Sequence, residues 1–127
     1  MNRQTIYTKN APEPIGPYSQ GVKARNFVYL SGQIAIDPST GKMSEGNVEE
    51  QTKIAMNNVG ALLKEAGLDY SSIVKTSIFI KNMDDFPKIN AVYGSYFTAD
   101  FPARETVEVS RLPKDALVEI SVVAMLP

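Results

Sequence analysis

The chain has 127 residues, 43% of them hydrophobic and 21% charged, which fits one globular domain, residues 1–127, rather than a disordered chain. A net charge of −1 with no basic cluster gives nucleic acid no electrostatic footprint to bind. The absence of cysteine and histidine excludes disulfides and thiolate nucleophiles, leaves zinc only an all-carboxylate site, and restricts a general base to Asp, Glu, Lys or Tyr.

The opening MNRQTIYTKNAPEP has no apolar run of the kind a signal peptide carries. No stretch approaches the roughly 18 apolar residues of a membrane helix. These features lead to the expectation of a cytoplasmic protein with no membrane partner. The first strand candidate is TIYT. APEPIGPYSQG, with three prolines and two glycines, then reads as loop. Two strands follow, near 18–24 and 27–32, joined by a tight turn at ARN. DPSTGK is another turn: Pro38 suits its second position and Gly41 accepts positive φ.

NVEEQTKIAMNNVGALLKEAG is the clearest helix. Asn47 is placed to cap it, and Glu50 stands at capping-box spacing. Ala55, Val59, Leu62 and Ala66 mark a buried stripe, and Gly67 is a C-terminal stop. SIVKTSIFIKN alternates at Val74, Thr76, Ile78 and Ile80 and reads as a strand. DDFPKINAVYGSYF reads as a second helix, capped by Asp84 with Pro87 in its first turn. A strand at 105–110, the turn RLPKD and a last strand ALVEISVVAML complete the order β-β-β-α-β-α-β-β. Hairpins at both ends and helices between predict an α+β fold, a mixed sheet with two helices on one face.

In the last strand Val118, Ile120, Val122 and Ala124 point one way, and Leu117, Val123 and Met125 the other. With one face taken by helices, the second apolar face calls for a further copy of the chain. Three polar residues stand in apolar company. Glu119 interrupts the last strand on the Leu117 and Val123 side, either as a rim glutamate or as a positioned base or water holder. Asn90 shares a helical face with Phe86, Tyr93 and Phe97, as a cap or loop contact or as a ligand contact. Arg104 sits at the mouth of a strand, paired with Glu105 or Asp100 on the surface or offering its planar fork to a carboxylate. Tyr18 in GPYSQG and Ser31-Gly32 in YLSGQ are weaker candidates. GPYSQG lacks the glycine spacing and lysine of a phosphate loop.

Taken together, IGPYSQGV, VYLSGQIAIDPSTGKM, INAVYGSYF, FPAR and SRLPKDALVEI resemble the hallmark segments of the RidA (YjgF) family of enamine/imine deaminases, in the family's order, from about Tyr7 to Met125. The resemblance implies a chorismate-mutase-like fold assembled as a homotrimer, its sheets packed around a central barrel and three clefts lying between subunits. It implies that Arg104 holds a substrate carboxylate and Glu119 positions the attacking water. Tyr18, Ser31, Gly32 and Asn90 fall on further cleft positions, Gly32 as a backbone contact, with Thr106 beside them. The implied substrates are 2-aminoacrylate/2-iminopropanoate and 2-iminobutanoate, hydrolysed to 2-oxo acids and ammonia without metal or cofactor. Two other readings are a non-catalytic module binding a 2-oxo acid, and an endoribonuclease or translation inhibitor. Three departures mark this chain. Thr106 stands where many relatives carry cysteine, Ser121 replaces a common glutamate, and the segment between Phe97 and Pro102 is short.

Overall fold

The computed structural model describes residues 3–127. The elements follow the expected order: β1 (Arg3–Ile6), β2 (Gly21–Ala24), β3 (Phe27–Gln33), α1 (Val48–Glu65), β4 (Ile73–Ile80), α2 (Phe86–Gly94), β5 (Ala103–Glu108) and β6 (Val118–Met125). The strands form one six-stranded sheet in the order β1-β2-β3-β6-β4-β5. All pairings are antiparallel except β4 with β5, which run parallel around α2. The fold is thus α+β with a mixed sheet.

α1 forms where its local signals place it. The Asn47 side chain accepts from Glu50 N at 2.9 Å, which satisfies one of the orphan donors of the first turn. The expected return contact of a capping box is absent: the Glu50 carboxylate instead accepts from Ser44 Oγ at 2.9 Å. Gly67, at φ 77°, closes the other end in a left-handed conformation, and Leu68 N donates to Leu63 O. Met56, Val59, Leu62 and Leu63 are fully buried against the sheet with Val28, Ile78, Ile80, Val118 and Ile120. Each such side chain contributes roughly 1.5–3 kcal/mol by leaving water.

Several boundaries depart from the sequence reading. β2 begins at Gly21, not at 18, because Tyr18 and Ser19 belong to the preceding loop. The ARN turn is a two-residue hairpin, Ala24 paired with Phe27 and Arg25 at φ 54°. α2 is shorter than expected at both ends. Asn82, not Asp84, is the capping side chain: it accepts from Asp84 N at 2.9 Å and starts a 3-10 turn, Met83–Asp85, that leads into the helix. β4 carries a bulge, with Ile73 opposite Ala124 but Lys75 opposite Val123. Ile73 is therefore the buried residue there, and Val74 is turned out.

Both helices cover one face of the sheet. The other face shows Phe27, Tyr29, Val107 and Met125 to solvent. At the end of the sheet where β3 ends and β6 begins, Ile34, Ile36, Leu112 and Ala116 form a second small cluster with Phe79 against it. Asn58 of α1 ties that end down by donating to Ile34 O and Ile36 O.

Candidate functional site

The seven residues singled out in the sequence fall into two groups on opposite faces of the sheet. Tyr18, Ser31, Gly32 and Glu119 line one cleft of about 340 Å³, with Pro12, Ile15 and Gln20 on its loop wall. That volume is at the small end of ligand pockets. Arg104, Thr106 and Asn90 lie on the helix side, between β5 and α2.

The first group is built on the junction of β3 and β6. The β3–β6 register shifts between Leu30 and Gln33, so Ser31 and Gly32 stand out of the regular ladder. Ser31 is fixed twice to the loop, its N donating to Gln20 O at 2.9 Å and its Oγ to Ser19 O at 2.6 Å. Glu119 alternates with the buried Val118 and Ile120 and so projects from the face opposite the helices. Its carboxylate passes over Gly32: a Cβ there would lie 1.9 Å from Oε2 and 2.8 Å from Cδ. Any larger residue at this position would displace the carboxylate from the place it now holds. Burial raises the Glu119 carboxyl above the usual range for glutamate. Tyr18 is half-exposed at the mouth, its hydroxyl accepting from Ile15 N at 3.1 Å.

Gln20 was not among the sequence candidates, yet it shapes this wall. It is 2% exposed; its Oε1 accepts from Thr8 N and its Nε2 donates to the carbonyls of Thr8, Ala11 and Pro12. A buried amide so fully paired pins the proline-rich loop in one conformation. Its place inside a loop rather than a periodic element left no pattern to reveal it.

The second group centres on Arg104. In the β4–β5 ladder it stands opposite Thr76, which is fully buried on the helix face. Its guanidinium carbon lies 5.2 Å from the Tyr93 ring centroid and 5.6 Å from that of Phe86. Neither suggested surface partner pairs with it. Glu105 points to the opposite face of the strand, forms an ion pair with Lys75 at 2.8 Å and accepts from Ser77 Oγ, which together hold its carboxyl below the usual range. Asp100 makes no ion pair among the described residues. Tyr93 is raised by burial, against the lowering effects of its bond to Thr76 and of the Arg104 charge. Two buried polar atoms in this group have no hydrogen-bond partner: Asn90 Oδ1, one turn along α2 from Phe86, and Thr106 Oγ1, two residues along β5 from Arg104. Unpaired buried polar atoms are uncommon, and a bound ligand, water or ion is one way of completing them. The 98–101 segment turns through Asp100 at φ 55° and leaves Phe101 exposed, its ring tilted against that of Phe97 at 5.8 Å between centroids.

These features define a small α+β protein with a ligand-sized cleft on one sheet face and, on the other, an arginine with no ion pair among the described residues. A family profile described as Endoribonuclease L-PSP matches residues 8–126. A RutC family protein of Synechocystis is 53% identical over 129 residues, covering 100% of this chain and 99% of its own. The 2-iminobutanoate/2-iminopropanoate deaminase of Homo sapiens is 44% identical over 123 residues, covering 97% of this chain and 90% of its own. The solved YjgF gene product of E. coli superposes with a TM-score of 0.92 at 46% identity, covering 96% of this chain and 98% of that one. The chain belongs to the RidA (YjgF) family.

Proposed function

We propose that this chain is a hydrolytic deaminase of reactive enamine and imine acids, acting on 2-aminoacrylate/2-iminopropanoate and 2-iminobutanoate. The observation that carries this reading is Arg104: a guanidinium fixed over two aromatic rings with no carboxylate partner among the described residues. Its planar fork fits a substrate carboxylate bidentately. On the opposite face of the sheet Glu119, half-buried and with a raised carboxyl, is suited to align water and exchange protons. The enamine tautomerises to the imine, and water oxygen then bonds to the imine carbon while the nitrogen gains a proton. The carbinolamine loses ammonia as its C–N bond breaks, and the hydroxyl gives up its proton to leave the 2-oxo acid. Orientation and one proton shuttle suffice, since no step needs a covalent nucleophile.

Arg104 and Glu119 leave opposite faces of one sheet, so in this reading they meet across a boundary between copies, in a homotrimer with three clefts. The exposed Phe27, Tyr29, Val107 and Met125 support a further copy against that face. The endoribonuclease in the family profile's description fits poorly here, since the chain has no histidine and a net charge of −1. No helix among the described residues is long and apolar enough to cross a membrane.

The test couples threonine dehydratase to this protein and follows imine decay. Decay faster than in buffer, lost in Arg104→Ala, is expected; no acceleration by the wild type refutes the reading. Chains carrying Arg104→Ala and Glu119→Ala, each retaining only a small residual activity alone, should regain about a quarter of wild-type activity when refolded together, because random mixing in a closed ring pairs an intact arginine with an intact glutamate in roughly one cleft of four.

A further inference from the structure

We propose that Phe86 and Tyr93 are positioning residues, an aromatic clamp that sets the Arg104 guanidinium for carboxylate capture; the proposal rests on the deaminase reading above. An arginine that binds a substrate carboxylate must be held still without using the N–H groups that do the binding. A salt bridge would fix it but occupy those donors. Aromatic rings fix it differently: they attract the cation over their faces and leave the N–H edges of the planar group free.

The surroundings of Arg104 follow that second arrangement. Its guanidinium carbon sits 5.6 Å from the centre of Phe86 and 5.2 Å from the centre of Tyr93, both inside the range of cation–π attraction. The two rings are seven residues apart on α2, hence stacked two turns apart on one helix face. The nearest acidic neighbours on the strand are engaged elsewhere. Glu105 is bound to Lys75 and Ser77, and Glu108 accepts from Met83 N at 2.8 Å.

The geometry of the clamp is itself fixed from both ends. Tyr93 donates its hydroxyl to Thr76 Oγ1 at 2.8 Å, and Thr76 is the residue paired with Arg104 across the β4–β5 ladder. Ring and arginine are thus tied to the same rung of the sheet. Glu108, on the strand that carries Arg104, holds the backbone just before α2, where Phe86 is the first helical residue. Phe86 is half-buried and packs only at the margin of the main core, so the fold does not demand an aromatic ring there.

The test uses the intact oligomer and three substitutions. Phe86→Leu keeps apolar bulk but removes a ring face; Phe86→Tyr keeps the ring; Tyr93→Phe keeps the ring and loses the Thr76 bond. Hydrolysis of 2-iminobutanoate generated in situ gives kcat and KM, and titration calorimetry with 2-oxobutanoate gives affinity independently of turnover. For Phe86→Leu, KM and the 2-oxobutanoate Kd should rise together, roughly three- to tenfold, with kcat within about twofold of wild type. Phe86→Tyr should bind as the wild type does, and Tyr93→Phe, whose ring is no longer tied to Thr76, should raise KM and Kd by less than Phe86→Leu does. A fall in kcat or in folded protein with KM and Kd unchanged would assign Phe86 to packing and overturn the clamp. So would a Phe86→Tyr variant as weak as Phe86→Leu. A wild type that binds 2-oxobutanoate but does not turn over refutes the deaminase reading alone, and the calorimetry still decides the clamp. A wild type that neither binds 2-oxobutanoate nor turns over the imine overturns both.

Discussion

Replacing Gly32 with alanine tests the cleft at its tightest point. The added Cβ would stand 1.9 Å from Glu119 Oε2, 2.8 Å from Cδ and 2.9 Å from Cγ, closer than a Cβ comes to atoms it is not bonded to. The backbone at Gly32 is not left-handed, so alanine brings no conformational strain of its own and the clash falls on the glutamate. Restoring an ordinary contact of roughly 3.5 Å moves the carboxylate oxygen by about 1.6 Å. A misplacement of about 1 Å in a reacting geometry costs on the order of 10²-fold in rate. The expectation is a kcat lower by about two orders of magnitude, with KM near wild type because Arg104 is untouched. Fold stability should change little, since the glutamate end is half-exposed and free to swing away. Steady-state kinetics on 2-iminobutanoate gives the first measurement, and a double-mutant cycle gives the second. In a Glu119→Ala background, Gly32→Ala should cost nothing more. An equal loss in both backgrounds, or full activity in the single variant, refutes the argument that Gly32 serves the carboxylate by leaving it room.

Other expectations follow from the same geometry. Arg104→Lys should lower kcat/KM by about 10- to 100-fold, because one ammonium cannot replace a bidentate fork whose charge-assisted bonds are worth about 1.5–3 kcal/mol; kinetics together with a melting curve unchanged within a few degrees checks this. Glu119 has a folded carboxyl raised above its unfolded value, so the folded state is penalised once pH exceeds that raised value, and the penalty vanishes below the ordinary glutamate range near 4.3. Glu119→Gln should therefore raise Tm at pH 7 and match the wild type at pH 4; a variant less stable than wild type at pH 7 counts against it. Asn47→Ala removes the α1 cap bond to Glu50 N and should lower stability by about 1 kcal/mol, which a denaturant titration with unchanged m-value will read.

What could be read in the sequence was local. α1 was legible because its cap, its stripe and its stop lie within about 20 consecutive residues, and the structure keeps all three. α2 was less so: Asn82 and Asp84 both suit a cap, and the intervening 3-10 turn that decides between them leaves no periodic trace. The β4 bulge was hidden for the same reason, since Ile73, Val74 and Thr76 are all acceptable to either face. The Glu105 alternative for Arg104 is removed by strand geometry alone. Adjacent residues on a strand face opposite ways, so once 103–108 is a strand, Glu105 belongs to Lys75 and not to its neighbour.

The placement of Arg104 and Glu119 depends on the long-range order β6-β4-β5, which no local pattern encodes. That order has a chemical consequence within one chain. Arg104 shares a rung with Thr76 and Val122, while Glu119 shares one with Phe79, three residues along and with β4 between, so the two side chains differ in strand, rung and face. With the sheet between them, each keeps the property its proposed role needs. Among the described residues Arg104 makes no ion pair and lies over its rings, and Glu119 makes none and stays half-buried, its carboxyl raised by desolvation. Strand order and side-chain alternation together thus keep the two charges apart and leave each open to a ligand from its own side of the sheet.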